Sequence, residues 1–77
     1  MESYNFSAKQ IHLRIRNLRS KQGMSQEFVA SKIGISQNAY SRIELGLAKL
    51  SIERMLKISE ILQVSPIELM QEQESKP

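Results

Sequence analysis

Residues 26–46 read Q-E-F-V-A-S-K-I-G-I-S-Q-N-A-Y-S-R-I-E-L-G. Val29 and Ile33 recur four apart, and Tyr40 and Ile43 three apart, which is the spacing of short amphipathic helices and not of strands. Gly34 lies between the two segments and supplies the backbone freedom that a tight turn needs. Ser25 and Ser36 each stand just before a segment, where a hydroxyl can accept a hydrogen bond from an amide of the first helical turn. Gln26 and Glu27 fall in the first turn of the earlier helix. Phe28, Val29 and Ile33 are its expected inward side chains, and small Ala30 suits close approach of another helix. Ile35 packs in the turn, and Gly46 ends the later helix.

The later helix, about Gln37 to Leu45, divides into two arcs at roughly 100° per residue. Ala39, Tyr40, Ile43 and Glu44 cover one. Gln37, Asn38, Ser41, Arg42 and Leu45 cover the other. Two short helices across a glycine turn, the second opening on small polar residues, have the outline of a helix-turn-helix, whose second helix enters a DNA major groove.

The rest of the chain reads as support for that unit. Ser7 is placed to cap a first helix over about Ala8 to Gln22, with Gln10 completing a capping box. Ile11, Ile15 and Leu18 share one face of it, and Gly23 follows its end. Ser51 caps a fourth helix whose inner stripe is expected to be Ile52, Met55, Leu56, Ser59 and Leu62, widened by Ile58. Ser65, Pro66 and Glu68 form a strong start signal for a short fifth helix, about Pro66 to Gln71. Residues 1–7 are expected to form an N-terminal arm containing Tyr4 and Phe6, residues 8–71 the folded domain, and residues 72–77 a disordered polar tail. The periodicity is helical throughout, so the expected class is all-α.

A chain of 77 residues makes one small domain, and a domain this small buries proportionally little surface. It contains no cysteine, so no disulfide and no thiolate metal site can help it. No apolar run is long enough to span a membrane, and the N-terminus lacks a signal peptide's apolar core. The net charge of +3 is unevenly distributed: residues 1–50 hold eight Lys/Arg against three Asp/Glu, net +5, and residues 51–77 hold three against five, net −2. The basic half contains the two-helix unit, as expected if that end meets phosphates; ordinary solvated surface charge is the alternative.

Two groups of side chains carry the chemistry. Glu44 shares an arc with Tyr40 and Ile43, and an inward carboxylate is costly unless paired. Arg19, at the edge of the first helix's apolar stripe, is the candidate partner; a surface Glu44 with no fixed partner is equally compatible with the pattern. On the outer arc, Gln37 and Asn38 can make bidentate contacts to adenine, and Arg42 can do so to guanine or hold a phosphate. Ser36 and Ser41 can donate to phosphates. Gln26 can bond a phosphate at the positive end of its helix. Lys49, in the loop beyond, is placed for a backbone contact. Lys21, Lys32, Arg14 and Arg16 read mostly as solvated charge. Enzymatic chemistry finds no support. His12, the only histidine, reads as a surface residue without a cysteine or acid pair. There is no phosphate-binding glycine loop and no metal-ligand cluster. Met24, Met55 and Met70 read as core fillers.

These residues resemble the Cro/phage-repressor-type helix-turn-helix family, also called the Xre family, from about Ile15 to Leu69. The resemblance rests on Leu18-Arg19, Gly23-Met24-Ser25-Gln26, Val29-Ala30 and Ile33-Gly34-Ile35-Ser36. It continues through Tyr40-Ser41-Arg42-Ile43-Glu44, Gly46, Leu62 and Val64-Ser65. It implies a compact five-helix, lambda-repressor-like domain that binds a double-stranded DNA operator as a homodimer and regulates transcription, with no cofactor. By position, Gln26, Gln37, Asn38 and Arg42 match the DNA-contacting places, Ser36 and Lys49 lie near the backbone, and Arg19 and Glu44 match a family ion pair. The sequence departs from the family at three places. Leu50 stands where proline is frequent, and Leu45 stands where a polar or basic residue is usual. Gln63 stands where glycine is frequent, at a cost of ~1 kcal/mol if the backbone there is left-handed.

The surface available for pairing two copies is Ile61 and Ile67 with Leu69 or Met70, at the acidic C-terminal end; closure of the core by these residues is the alternative. The leading reading is a sequence-specific repressor or autoregulator, bacterial or phage-encoded, acting in the cytoplasm at the nucleoid. A phage repressor, a restriction–modification controller and a toxin–antitoxin regulator all fit it, and a regulatory protein partner is compatible with it. The competing reading is a protein-interaction module with the same fold that has lost operator binding.

Overall fold

The computed structural model describes residues 10–71. Five helices follow one another: α1 (Ile11–Lys21), α2 (Gln26–Ile33), α3 (Gln37–Glu44), α4 (Ile52–Leu62) and α5 (Pro66–Met70). Each of the last four starts on a serine. The hydroxyls of Ser25, Ser36 and Ser51 accept from the amides of Phe28, Ala39 and Arg54 at 3.0–3.1 Å. Ser65 accepts from the Ile67 amide, and the Glu68 carboxylate accepts from the Ser65 amide in return. Each hydroxyl satisfies an amide that has no partner within its own helix. The first helix begins later than expected. Gln10 is its N-cap and makes no side-chain cap bond, so Gln10 is not the third residue of a capping box; Ser7 and Ala8, like the expected arm and tail, lie outside the described residues.

The first four helices stop in the same way. A residue with positive φ follows, and the amide beyond it bonds back to a carbonyl five residues earlier: Met24 to Arg19, Ile35 to Ala30, Leu47 to Arg42 and Val64 to Ser59, at 2.9–3.1 Å. In the turn between α2 and α3 the positive-φ residue is Gly34, at φ 78°, which lets the chain turn within the three residues between the helices and bring α3 against α2. After α4 the same place is taken by Gln63, at φ 60° and ψ 42°. A side chain there strains the backbone by roughly 1–2 kcal/mol.

The core is assembled from Ile15, Val29, Ala30, Ile33, Tyr40, Met55, Ile58, Leu62 and Leu69, with Ile11, Leu18, Met24, Ile35, Leu50, Ile61, Val64 and Met70 packed around its edge. Each fully buried large apolar side chain contributes about 1.5–3 kcal/mol. Two long polar side chains of α1 complete the packing. Arg14 is buried and donates from Nη1 to the Leu69 carbonyl at 3.0 Å. Gln22 donates to the Leu62 carbonyl at 2.8 Å. Both therefore satisfy carbonyls at the C-terminal ends of α5 and α4.

The structure corrects five expectations. Phe28 is 44% exposed, because Val29, Ala30 and Ile33 define the buried face of α2 and Phe28 points roughly 150° from its centre. The Lys32 ammonium lies 5.4 Å from the Phe28 ring centroid. Ile52 and Leu56 are exposed, because Met55, Ile58 and Leu62 centre the inner stripe of α4 and leave these two on its flank. Ser59 is buried, its hydroxyl bonded to the Leu56 carbonyl. Leu69 is fully buried because α5 packs against both α1 and α4, so it belongs to the core and not to a pairing surface. Arg14 is a buried structural residue and not solvated charge. His12 is half-buried, its imidazole ring packed where a Cβ on Gly46 would lie 3.0 Å from Nε2.

Candidate nucleic-acid interface

Helix α3 has two distinct faces. Tyr40, Ile43 and Glu44 are buried, while Gln37, Asn38 and Arg42 are exposed and Ser41 is half-buried. Gln37 and Asn38 follow directly from the Ser36 cap and occupy the N-terminal part of the helix, the part that reaches base edges when such a helix enters a major groove, and Ser41 and Arg42 continue the same face one turn further along. The Ser36 hydroxyl is occupied as an acceptor by the Ala39 amide and keeps its own proton to donate.

The buried face is fixed by charge as well as by packing. Arg19 of α1 grips Glu44 with two hydrogen bonds, Nε to Oε2 at 2.6 Å and Nη2 to Oε1 at 3.0 Å. The same guanidinium donates from Nη1 to the Met24 carbonyl at 2.7 Å. Gln26 of α2 adds a further donor, Nε2 to Glu44 Oε1 at 3.0 Å. One carboxylate thus joins three helices, and the side chain carrying it is only 1% exposed. Burial pushes the Glu44 carboxyl upward, but the hydrogen bonds of Arg19 and Gln26, with the Tyr40 hydroxyl nearby, hold it below the ordinary carboxylate value. The hydrogen bond to Glu44 correspondingly raises Arg19. Tyr40 is pushed upward by burial and then by the Glu44 carboxylate, and its hydroxyl is buried without a hydrogen-bond partner.

The structure brings Gln37, Asn38, Ser41 and Arg42 together on one surface with Ser36 at its start. Arg42 extends toward the loop after α3, where Nη2 donates to the Leu47 carbonyl at 3.4 Å. Lys49 is exposed in that loop. Gln26 is half-buried, and one of its amide protons is committed to Glu44. Its place in the ion-pair network went unrecognised in the sequence, since nothing local to α2 signals a bond to α3. Arg14 did leave a signal: Ile11, Arg14, Ile15 and Leu18 have the spacing of one helix face.

A helix-turn-helix family profile matches residues 15–69. The chain belongs to the Cro/phage-repressor-type (Xre) helix-turn-helix family. This is a family of transcriptional regulators and not of enzymes. The Xre-type chain is 35% identical over 52 residues to an SPbeta prophage-derived, uncharacterized HTH-type transcriptional regulator, YonR, of Bacillus subtilis (strain 168), a match taking in 68% of this chain and 48% of the relative. The chain therefore spans about half the length of that relative. The restriction-modification controller protein C.AhdI from Aeromonas hydrophila superposes with a TM-score of 0.75 at 31% identity, covering 79% of this chain and 92% of that one. The P22 c2 repressor, in complex with a synthetic operator, superposes with a TM-score of 0.71 at 32% identity, covering 78% and 91%. Among the described residues of this Xre-type domain, no helix is long and apolar enough to cross a membrane.

Proposed function

We propose that this helix-turn-helix chain binds double-stranded DNA sequence-specifically, as a homodimer on a palindromic operator, and represses transcription, its own gene included. One observation carries the reading. The outward face of α3 is polar and open while its inward face is locked to α1 and α2 through Glu44. A recognition surface must be held rigidly if side-chain donors are to meet base edges, because each bidentate pair depends on geometry. In this reading Gln37, Asn38 and Arg42 contact bases. Ser36, Ser41, Lys49 and the free amide proton of Gln26 contact the backbone. The likeness to a repressor in complex with its operator supports the same assignment.

A domain this small grips few phosphates, and two copies reading half-sites one helical turn apart, roughly 34 Å, increase that grip. Ile67, 53% exposed on α5, is the centre of the proposed two-fold contact, flanked by Ile61 and Met70, which lie partly buried against the core. The cytoplasm, at the nucleoid, is the proposed place of action.

Selection of bound sequences from a random duplex library at near-physiological salt tests the reading. An enriched palindrome supports the dimer, and affinity should fall steeply with salt as phosphate counterions are released. An enriched single half-site discards the two-fold arrangement. No enrichment by folded protein transfers the assignment to a protein-interaction module, for which exposed Leu45, Leu47 and Ile52 offer a surface.

A further inference from the structure

Leu45 is the residue of α3's outward arc to which DNA reading by polar side chains assigns no task. It is the C-cap of α3 and keeps right-handed helical backbone, φ −85° and ψ −5°. Its side chain therefore continues the helical spiral, seven residues after Asn38. That places it on the same side of the helix, about 10 Å further along the axis. It is 59% exposed. Arg42 precedes it by three residues, a spacing that makes the two side chains surface neighbours, and the Arg42 guanidinium is drawn toward this end of the helix by the Leu47 carbonyl.

A single exposed leucine needs no explanation in general. This one interrupts an arc otherwise made of Gln37, Asn38, Ser41 and Arg42. A major groove presents donors, acceptors and one apolar group, the C5-methyl of thymine. We propose that Leu45 is a specificity-determining residue that packs on a thymine C5-methyl beside the base or phosphate taken by Arg42. The inference rests on the DNA-reading function proposed above. It turns the departure from a polar residue at this position into a preference for one base. The neighbouring exposed leucine, Leu47, lies beyond the positive-φ Gly46, off the helical spiral, and takes no part in it.

Burying one methyl against an apolar side chain is worth about four-fold in affinity. The test uses the full chain and its library-selected operator, with each thymine replaced in turn by deoxyuridine, which removes only the methyl. Binding is measured by fluorescence anisotropy at constant salt for the native protein, Leu45→Ala and Leu47→Ala. Thermal melting confirms that both variants are folded, as their exposure leads us to expect. At one thymine per half-site, deoxyuridine should weaken the native protein and Leu47→Ala about four-fold, and Leu45→Ala not at all. A selected operator with no fixed thymine overturns the inference. So does a methyl effect that survives in Leu45→Ala or disappears in Leu47→Ala, or specific binding indifferent to every methyl; in each of these cases DNA reading itself stands. Absence of any sequence-specific binding overturns both.

Discussion

Glu44→Ala removes the carboxylate that joins α1, α2 and α3. Breaking a buried ion pair by deleting one partner typically costs about 3–5 kcal/mol, because the other charge stays behind without its partner. Here the charge left behind is Arg19, whose side chain is 14% exposed and which keeps its bond to the Met24 carbonyl. Both features soften the loss, so the expected cost is at the lower end, about 3 kcal/mol. A chain of 77 residues has a total stability of roughly 4–12 kcal/mol, so this one change removes a quarter or more of it. At about 4–8 °C per kcal/mol for a domain of this size, the melting temperature should fall by at least roughly 12 °C. Urea unfolding followed by far-UV circular dichroism at pH 7 measures the effect. The double variant Arg19→Met, Glu44→Leu should recover to within about 1 kcal/mol of the native protein, since an apolar pair of similar volume avoids the desolvation of both charges. The pH dependence carries an independent sign. The folded carboxyl of Glu44 titrates below its ordinary value of 4.5. Its contribution is therefore complete above that value and is lost as the pH falls through the lowered one. The native protein should lose stability on acidification more steeply than Glu44→Ala does. A cost below about 1 kcal/mol, the size of an exposed ion pair, together with parallel acid limbs, would refute the idea that this pair fixes the recognition helix.

Gln63→Gly should stabilise the domain by about 1 kcal/mol, by relieving a left-handed backbone that an L side chain adopts only under strain; an unchanged or lower urea midpoint counts against that strain. Gly46→Ala should destabilise by more than the roughly 1–2 kcal/mol of its backbone conformation alone, because its Cβ would lie 3.0 Å from His12 Nε2. In a His12→Ala background the excess should vanish and the backbone part remain. Arg42→Ala should weaken operator binding by about 1–3 kcal/mol and relax selectivity at one base pair if it reads guanine, whereas an equal loss on every sequence makes it a phosphate contact. Ile67→Asp should shift sedimentation toward the monomer without lowering the melting temperature; an unchanged profile removes the proposed two-fold surface.

The helices were legible in the sequence because their signals are local. Ser25, Ser36, Ser51 and Ser65 cap where their neighbours' spacing says helices begin, and the glycines stand where three helices end. α2 and α3 begin at their expected residues, and α3 and α5 stop within one residue of the expected ends. The inward turn of Tyr40, Ile43 and Glu44 follows from helical periodicity, which is fixed by backbone geometry. Periodicity failed where apolar residues crowd more than one face. Phe28 beside Val29, and Ile52 and Leu56 beside Met55, all look inward to a hydropathy pattern. Only the position of the neighbouring helix decides which of them water reaches.

The sequence by itself thus determined the five helices, the glycine turn and the polar arc of α3, since caps, turns and periodicity act over a few residues. The tertiary structure decided what joins residues far apart in the chain. It seated Gln26 on the Arg19–Glu44 pair, turned Arg14 into a cap for the Leu69 carbonyl, and sank Leu69 between α1 and α4. Those contacts depend on how helices cross, and no pattern within one helix encodes the position of its neighbour.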